Sequence, residues 1–192
     1  MSNGDGRKKG GGKPSNEARK PAPSKSDPKS KAVGGKGAVP KKRGGIRLTR
    51  LGGLDFELDH PKCVREMELD FEEGIELRKA GDPEAARDAL RYALQGCGDN
   101  LWVHVALGFI ALEDFGDPTL ARGHFGYAFE LAQRALPPGF TGKLPTHREA
   151  NRPFYDAIDG LIACYEALNR PKEIASLRSF ADALSQGRGR HS

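Results

Sequence analysis

The chain has 192 residues, 37% of them hydrophobic, and a formal net charge of +5. That charge is unevenly placed: residues 1–45 hold thirteen Lys/Arg against three Asp/Glu, a net of +10, whereas residues 46–192 hold eighteen against twenty-three, a net of −5. No apolar run approaches the roughly 18–20 residues a membrane span needs. No apolar segment follows the basic N-terminus as a secretory signal requires, so a cytoplasmic protein with no membrane partner is expected.

Residues 1–45 are rich in Gly, Lys, Pro, Ser and Ala and nearly devoid of large apolar side chains. Such a segment cannot bury enough surface to offset about 1–2 kcal/mol of backbone ordering entropy per residue, which predicts a disordered basic tail. Its cations suit nucleic-acid phosphates or another polyanion, and the lack of aromatics leaves it no base-stacking platform. Residues 46–61 change character. Leu54, Phe56 and Leu58 alternate with Asp55 and Glu57, a strand period. Two arrangements fit. One is a short hairpin closed by Gly52-Gly53, with Arg50 opposite Asp55. The other is an extended segment laid against the helices through Leu54, Phe56 and Leu58, which the marginal stability of a lone hairpin favours.

Six helices are predicted from there on. The first runs from Pro61 or Lys62 to Lys79 and breaks at Gly81-Asp82-Pro83; Pro83 opens the second, which ends near Gln95. Leu101 to Ala135 reads as two helices joined at Gly116-Asp117-Pro118. Leu136 to Glu149 contains three prolines and two glycines, which exclude a continuous helix. A fifth helix runs from Pro153, with Asn151 or Arg152 flanking its start, to about Leu168. Pro171 to Gln186 forms the sixth, and residues 187–192 fray off as a basic C-terminus. Cys63, Cys97 and Cys164 are widely spaced with no His at ligand spacing, which predicts reduced structural thiols and no metal.

The helices repeat. Gly74 and Gly108 stand 34 residues apart, and Pro83, Ala86, Leu90 and Ala93 recur as Pro118, Ala121, Phe125 and Ala128 at a displacement of 35. One extra residue in the second inter-helix turn accounts for the slip. Gly160 starts a third copy, although Arg178 falls where Leu90 and Phe125 stand. A mid-helix Gly costs about 1 kcal/mol against Ala, so three in one register predict close helix crossings. The pattern resembles the tetratricopeptide repeat over roughly residues 67–186: the small residue of its first helix matches Gly74, Gly108 and Gly160, and its Ala-x3-aliphatic/aromatic-x2-Ala matches the two second helices. Asp70 stands at the family's usual Trp position, and the Pro-rich loop separates the second and third copies.

The resemblance implies an all-α fold over residues 62–186, three antiparallel helix pairs forming a short α-solenoid. It also implies a non-enzymatic scaffold that binds a partner peptide in a groove lined by the first helix of each pair. Carried over position by position, the groove residues are Phe71, Ile75 and Arg78; Trp102, Val105 and Phe109; and Phe154, Leu161 and Tyr165. Trp102 is the best contact candidate because its indole N–H needs a polar partner. His147, Arg148 and Arg152 form a possible anion rim beside the loop. No phosphate loop, nucleophile elbow or H-E-x-x-H motif occurs, so neither catalysis nor a cofactor is expected. A nucleic-acid- or ribosome-associated protein binding through residues 1–45 is the alternative function.

Overall fold

A computed structural model describes residues 45–186. The expected basic tail, Gly45 apart, and the expected C-terminal fray at 187–192 lie outside the described residues. Two antiparallel strands, β1 (Arg47–Gly52) and β2 (Asp55–Asp59), precede seven helices: α1 (Cys63–Glu66), α2 (Glu68–Lys79), α3 (Pro83–Gly96), α4 (Leu101–Phe109), α5 (Pro118–Ala135), α6 (Arg152–Ala167) and α7 (Pro171–Gln186). The fold is mostly helical, and of the two arrangements that fit residues 46–61 the hairpin forms rather than the favoured extended segment.

Local chemistry explains the helix starts. The Asp82 carboxylate accepts from the Ala85 amide at 2.9 Å, and Asp117 accepts from those of Thr119 and Leu120 at 3.0 and 2.9 Å. In each case Pro follows at the first helical position, where its missing N–H costs nothing. Asn100 caps α4 through the Val103 amide. Ahead of the two Asp-Pro starts, Gly81 and Gly116 hold φ of 87° and 62°, a left-handed conformation that favours glycine.

The turns Ala80-Gly81-Asp82-Pro83 and Phe115-Gly116-Asp117-Pro118 are therefore equivalent, and the extra residue of the second copy is not in its turn. It lies in a π-helical segment, Ile110–Asp114, that continues α4, with the Phe115 amide donating to the Ile110 carbonyl. A π turn accommodates one added residue without ending the helix. The expected first helix is also interrupted: α1 stops at Met67, whose φ of −103° and ψ of 17° are not helical, and α2 begins at Glu68.

The glycines stand where helices cross. A Cβ on Gly74 would lie 2.5 Å from Leu90 Cγ, and one on Gly108 would lie 2.6 Å from Phe125 Cε1. Gly160 of α6 abuts the same Phe125 ring, which is thus held between α4 and α6. That explains why α7 can carry Arg178 at the matching position: the third glycine faces the preceding helix. Two buried clusters result. One gathers Leu90, Val103, Leu107 and Ile110; the other gathers Phe125, Phe154, Ile158, Leu161 and Leu144.

The hairpin differs from the expected one in register. Arg50 stands opposite Phe56 and Gly52 opposite Asp55, with an irregularity between, so the turn falls on Gly53 and Leu54 rather than on Gly52-Gly53. Leu54 is exposed there, and only Leu58 is fully buried, with Phe56 partly so. Side-chain and loop contacts supply what a lone hairpin lacks. Phe56 N–H donates to the Lys143 carbonyl and Lys143 N–H to that of Leu54, at 2.8 and 2.6 Å, so the Pro-rich loop runs beside β2. The Phe56 and Phe140 rings meet edge-on at 5.2 Å. Asn151 is fully buried: it accepts from the Leu58 amide and donates to the carbonyls of Phe56 and Pro145. It ties hairpin and loop to the start of α6 instead of capping that helix.

Cys63 and Cys97 form a disulfide with Cα atoms 5.3 Å apart, which overturns the expectation of reduced thiols for this pair. Cys164 is a free, fully buried thiol, and burial raises its pKa. No described helix is long and apolar enough to cross a membrane.

Candidate functional site

A groove of about 1440 Å³ runs along α2 and α4. Phe71 and Ile75, one turn apart on α2, face Trp102, Val105 and Phe109 on α4, and Arg78 stands at its edge. All but Val105 are partly exposed, so the floor is apolar surface in contact with solvent. The segment from Pro61 through α1, the turn before α6 and the start of α6 contribute further wall residues, among them Val64, Ala150 and Asp156. Its rim carries both signs of charge, with Glu57, Glu66, Glu68 and Glu72 beside Lys62 and Arg65. The floor, not the rim, gives the groove its chemical character.

Trp102 occupies the first turn of α4 with the His60 ring 4.1 Å from its own. His60 Nε2 lies 2.7 Å from the Ala150 carbonyl, which only accepts, so Nε2 carries the hydrogen. Its Nδ1 is buried without a hydrogen-bond partner among the described residues. Burial lowers the His60 pKa, against the Ala150 hydrogen bond and the charge of Asp59, and keeps the ring neutral. Arg78 is bound at two of its three guanidinium nitrogens, Nε to Asp114 and Nη2 to Glu113, each at 2.6 Å. Partial burial disfavours its charge, yet those two carboxylates outweigh that and raise its pKa. The π turn presents Glu113 and Asp114 together, so the inserted residue serves the α2–α4 seam. Arg78 is consequently committed to that seam.

The residues expected from α6 do not line this groove. Phe154 and Leu161 are buried in the second cluster, where Phe154 packs among Phe129, Tyr155 and Phe180. Tyr165 is partly buried against that same cluster. The close approach of Gly160 to Phe125 turns this face of α6 inward, so the carry-over from the repeat pattern fails for the third copy. The anion rim also divides. Arg148 and Arg152 border the groove, while His147 and Arg152 line a separate hollow of about 650 Å³ with Glu149, Asp156 and Asp159. Arg152 pairs with Asp156 at 3.7 Å. Burial raises the pKa of Asp156, opposed by Arg152 and reinforced by Asp159; burial alone raises that of Asp159. Three carboxylates around one hollow make it a poor anion site.

A second histidine cluster lies on the α4–α5 side. His104 Nε2 donates to the Gly98 carbonyl at 3.0 Å, and its ring centroid lies 4.7 Å from that of Tyr127 and 5.9 Å from that of His124. Burial lowers both histidine pKa values, and the proximity of His104 lowers that of His124 further. No group of three or more His, Cys, Asp or Glu that could hold a metal occurs among the described residues.

No protein-family model matches the sequence, and comparison with curated proteins and with solved structures finds no match.

Proposed function

We propose that residues 62–186 form three tetratricopeptide-like helix pairs, α2 with α3, α4 with α5 and α6 with α7, and that the protein is a non-enzymatic scaffold binding a partner peptide between α2 and α4. The observation that carries this reading is the groove itself, about 1440 Å³ with Phe71, Ile75, Trp102 and Phe109 partly exposed along its floor. Apolar surface concentrated in a concave helical face is where a peptide's apolar anchors dock. Only the first two pairs line its floor with their first helices, and the third supplies the start of α6 as a wall. Trp102→Ala should abolish recovery of the groove-bound partner in affinity capture from lysate, with helical CD retained; an unchanged set of partners argues against the groove. Phe109→Ala is a less clean test, because Phe109 also meets buried Phe125 edge-on at 5.1 Å.

A second reading rests on the charge of residues 1–45, a net of +10. Under it, the basic arm binds a nucleic acid or another polyanion through phosphates, and the helical part serves other contacts. Deleting residues 1–44 should then remove binding that weakens steeply with salt. Binding that survives the deletion excludes it.

A further inference from the structure

We infer that the Cys63–Cys97 disulfide is a redox latch on the groove, closing one of its walls when oxidised and releasing it when reduced. This inference rests on the groove reading above for its function, but the structural change it requires is independent of any partner.

The segment between β2 and α2 forms that wall: Pro61, Lys62, Val64, Arg65 and Glu66 all line the groove. Little else holds it in place. Helix α1 is four residues long, has no fully buried residue and no side-chain cap. At one end the segment is anchored by His60, bonded to Ala150 and packed against the Trp102 ring. At the other, Met67 packs against Gly96 so closely that a Cβ there would collide with its thioether. Between these two anchors the one covalent tie among the described residues is the bond from Cys63 to Cys97, beyond the end of α3. Breaking it leaves Lys62 to Glu66 held at its flanks and by the partly buried Val64.

The two sulfurs are unequally reachable. Cys97 is fully buried, whereas Cys63 is partly exposed. A dithiol reductant therefore attacks Cys63 Sγ, with Cys97 leaving as a thiolate. The second thiol of the reductant then displaces Cys63 from the mixed disulfide. Two electrons pass to the protein, Cys63 and Cys97 each end as thiols, and the reductant ends as its cyclic disulfide. In a reducing compartment such a bridge is made and broken rather than permanent. Cys164 stays out of the exchange because it is buried with a raised pKa.

The full chain carries its own reporters. Trp102, the one tryptophan, lines the same groove, and Lys62 and Arg65 are exposed trypsin sites within the wall. Reduction with dithiothreitol should expose two thiols under native conditions, red-shift Trp102 emission and leave far-UV CD unchanged. Cleavage at Lys62 and Arg65 should accelerate by about tenfold or more, as local opening predicts. A Cys63→Ala/Cys97→Ala variant should show the reduced behaviour at once and ignore the reductant. Unchanged emission and cleavage after two thiols have appeared would overturn the latch, and so would loss of helical CD, which would make the bridge a global staple. If the latch responds as expected while Trp102→Ala leaves captured partners unchanged, the groove reading fails and the structural switch stands.

Discussion

The two halves of the helical region solve one packing problem in opposite ways. Around Phe125 the structure is closed: a fully buried ring fits between glycines of α4 and α6, and neighbouring apolar residues reach zero exposure. Along the seam of α2 and α4 it is open. Among the residues of α2 only Gly74 is fully buried, and the seam is held from outside its floor, by the Arg78 ion pairs and the Cys63–Cys97 bond. The contrast shows how a helical stack can keep apolar surface available: it moves the stabilising contacts to the edges and leaves the floor uncovered.

Phe125→Ala should expose this contrast most strongly. Removing the ring empties the closed half and should cost about 3–5 kcal/mol, read as a lower urea midpoint, whereas Trp102→Ala in the open half, where the ring is partly exposed, should lower the midpoint distinctly less. Equal losses would erase the distinction. Gly160→Ala should cost about 1–3 kcal/mol by forcing a methyl into the Phe125 ring. Gly123→Ala, on α5 with nothing within 4 Å of the added carbon, should instead gain about 0.5–1 kcal/mol from helix propensity.

Acidification should weaken both halves through their histidines. His60, His104 and His124 all have pKa values lowered by burial. The unfolded chain therefore takes up protons near the ordinary value of about 6.5 while the folded protein resists them. Their contribution is full above that value and is lost as pH falls toward the folded pKa values. Urea midpoints that fall from pH 7.5 to 5.5, and fall less in His104→Asn, are expected; a flat profile contradicts neutral buried rings. Arg78→Ala should have the smallest cost, about 1 kcal/mol, because its two ion pairs are only partly buried, and the loss should shrink in high salt.

Much of the helical part was legible because its signals are local. Asp-Pro after a turn glycine marks two helix starts, and Gly74 and Gly108 each oppose the large residue of the next helix in their own copy. Tertiary choices were not. Gly160 packs on Phe125 rather than on its own partner helix, which buries Phe154 and Leu161 away from the groove. Asn151 has the appearance of a cap residue, yet its amide is spent on β2 and the loop. One signal was present and unread: Cys63 and Cys97 stand 34 residues apart, the repeat displacement itself, which places them at equivalent points before α2 and α4. The π turn likewise hid in the slip from 34 to 35.

The central claim is that the open α2–α4 floor is a peptide-binding surface. Site-specific photo-crosslinking tests it most directly, with a photoreactive phenylalanine analogue replacing Phe71 in the full chain and, as a control, Tyr92 on the exposed side of α3. A discrete crosslinked polypeptide is expected from position 71, none from position 92, and no product in Trp102→Ala. Equal products from both positions, or a product that persists without the Trp102 ring, would contradict it.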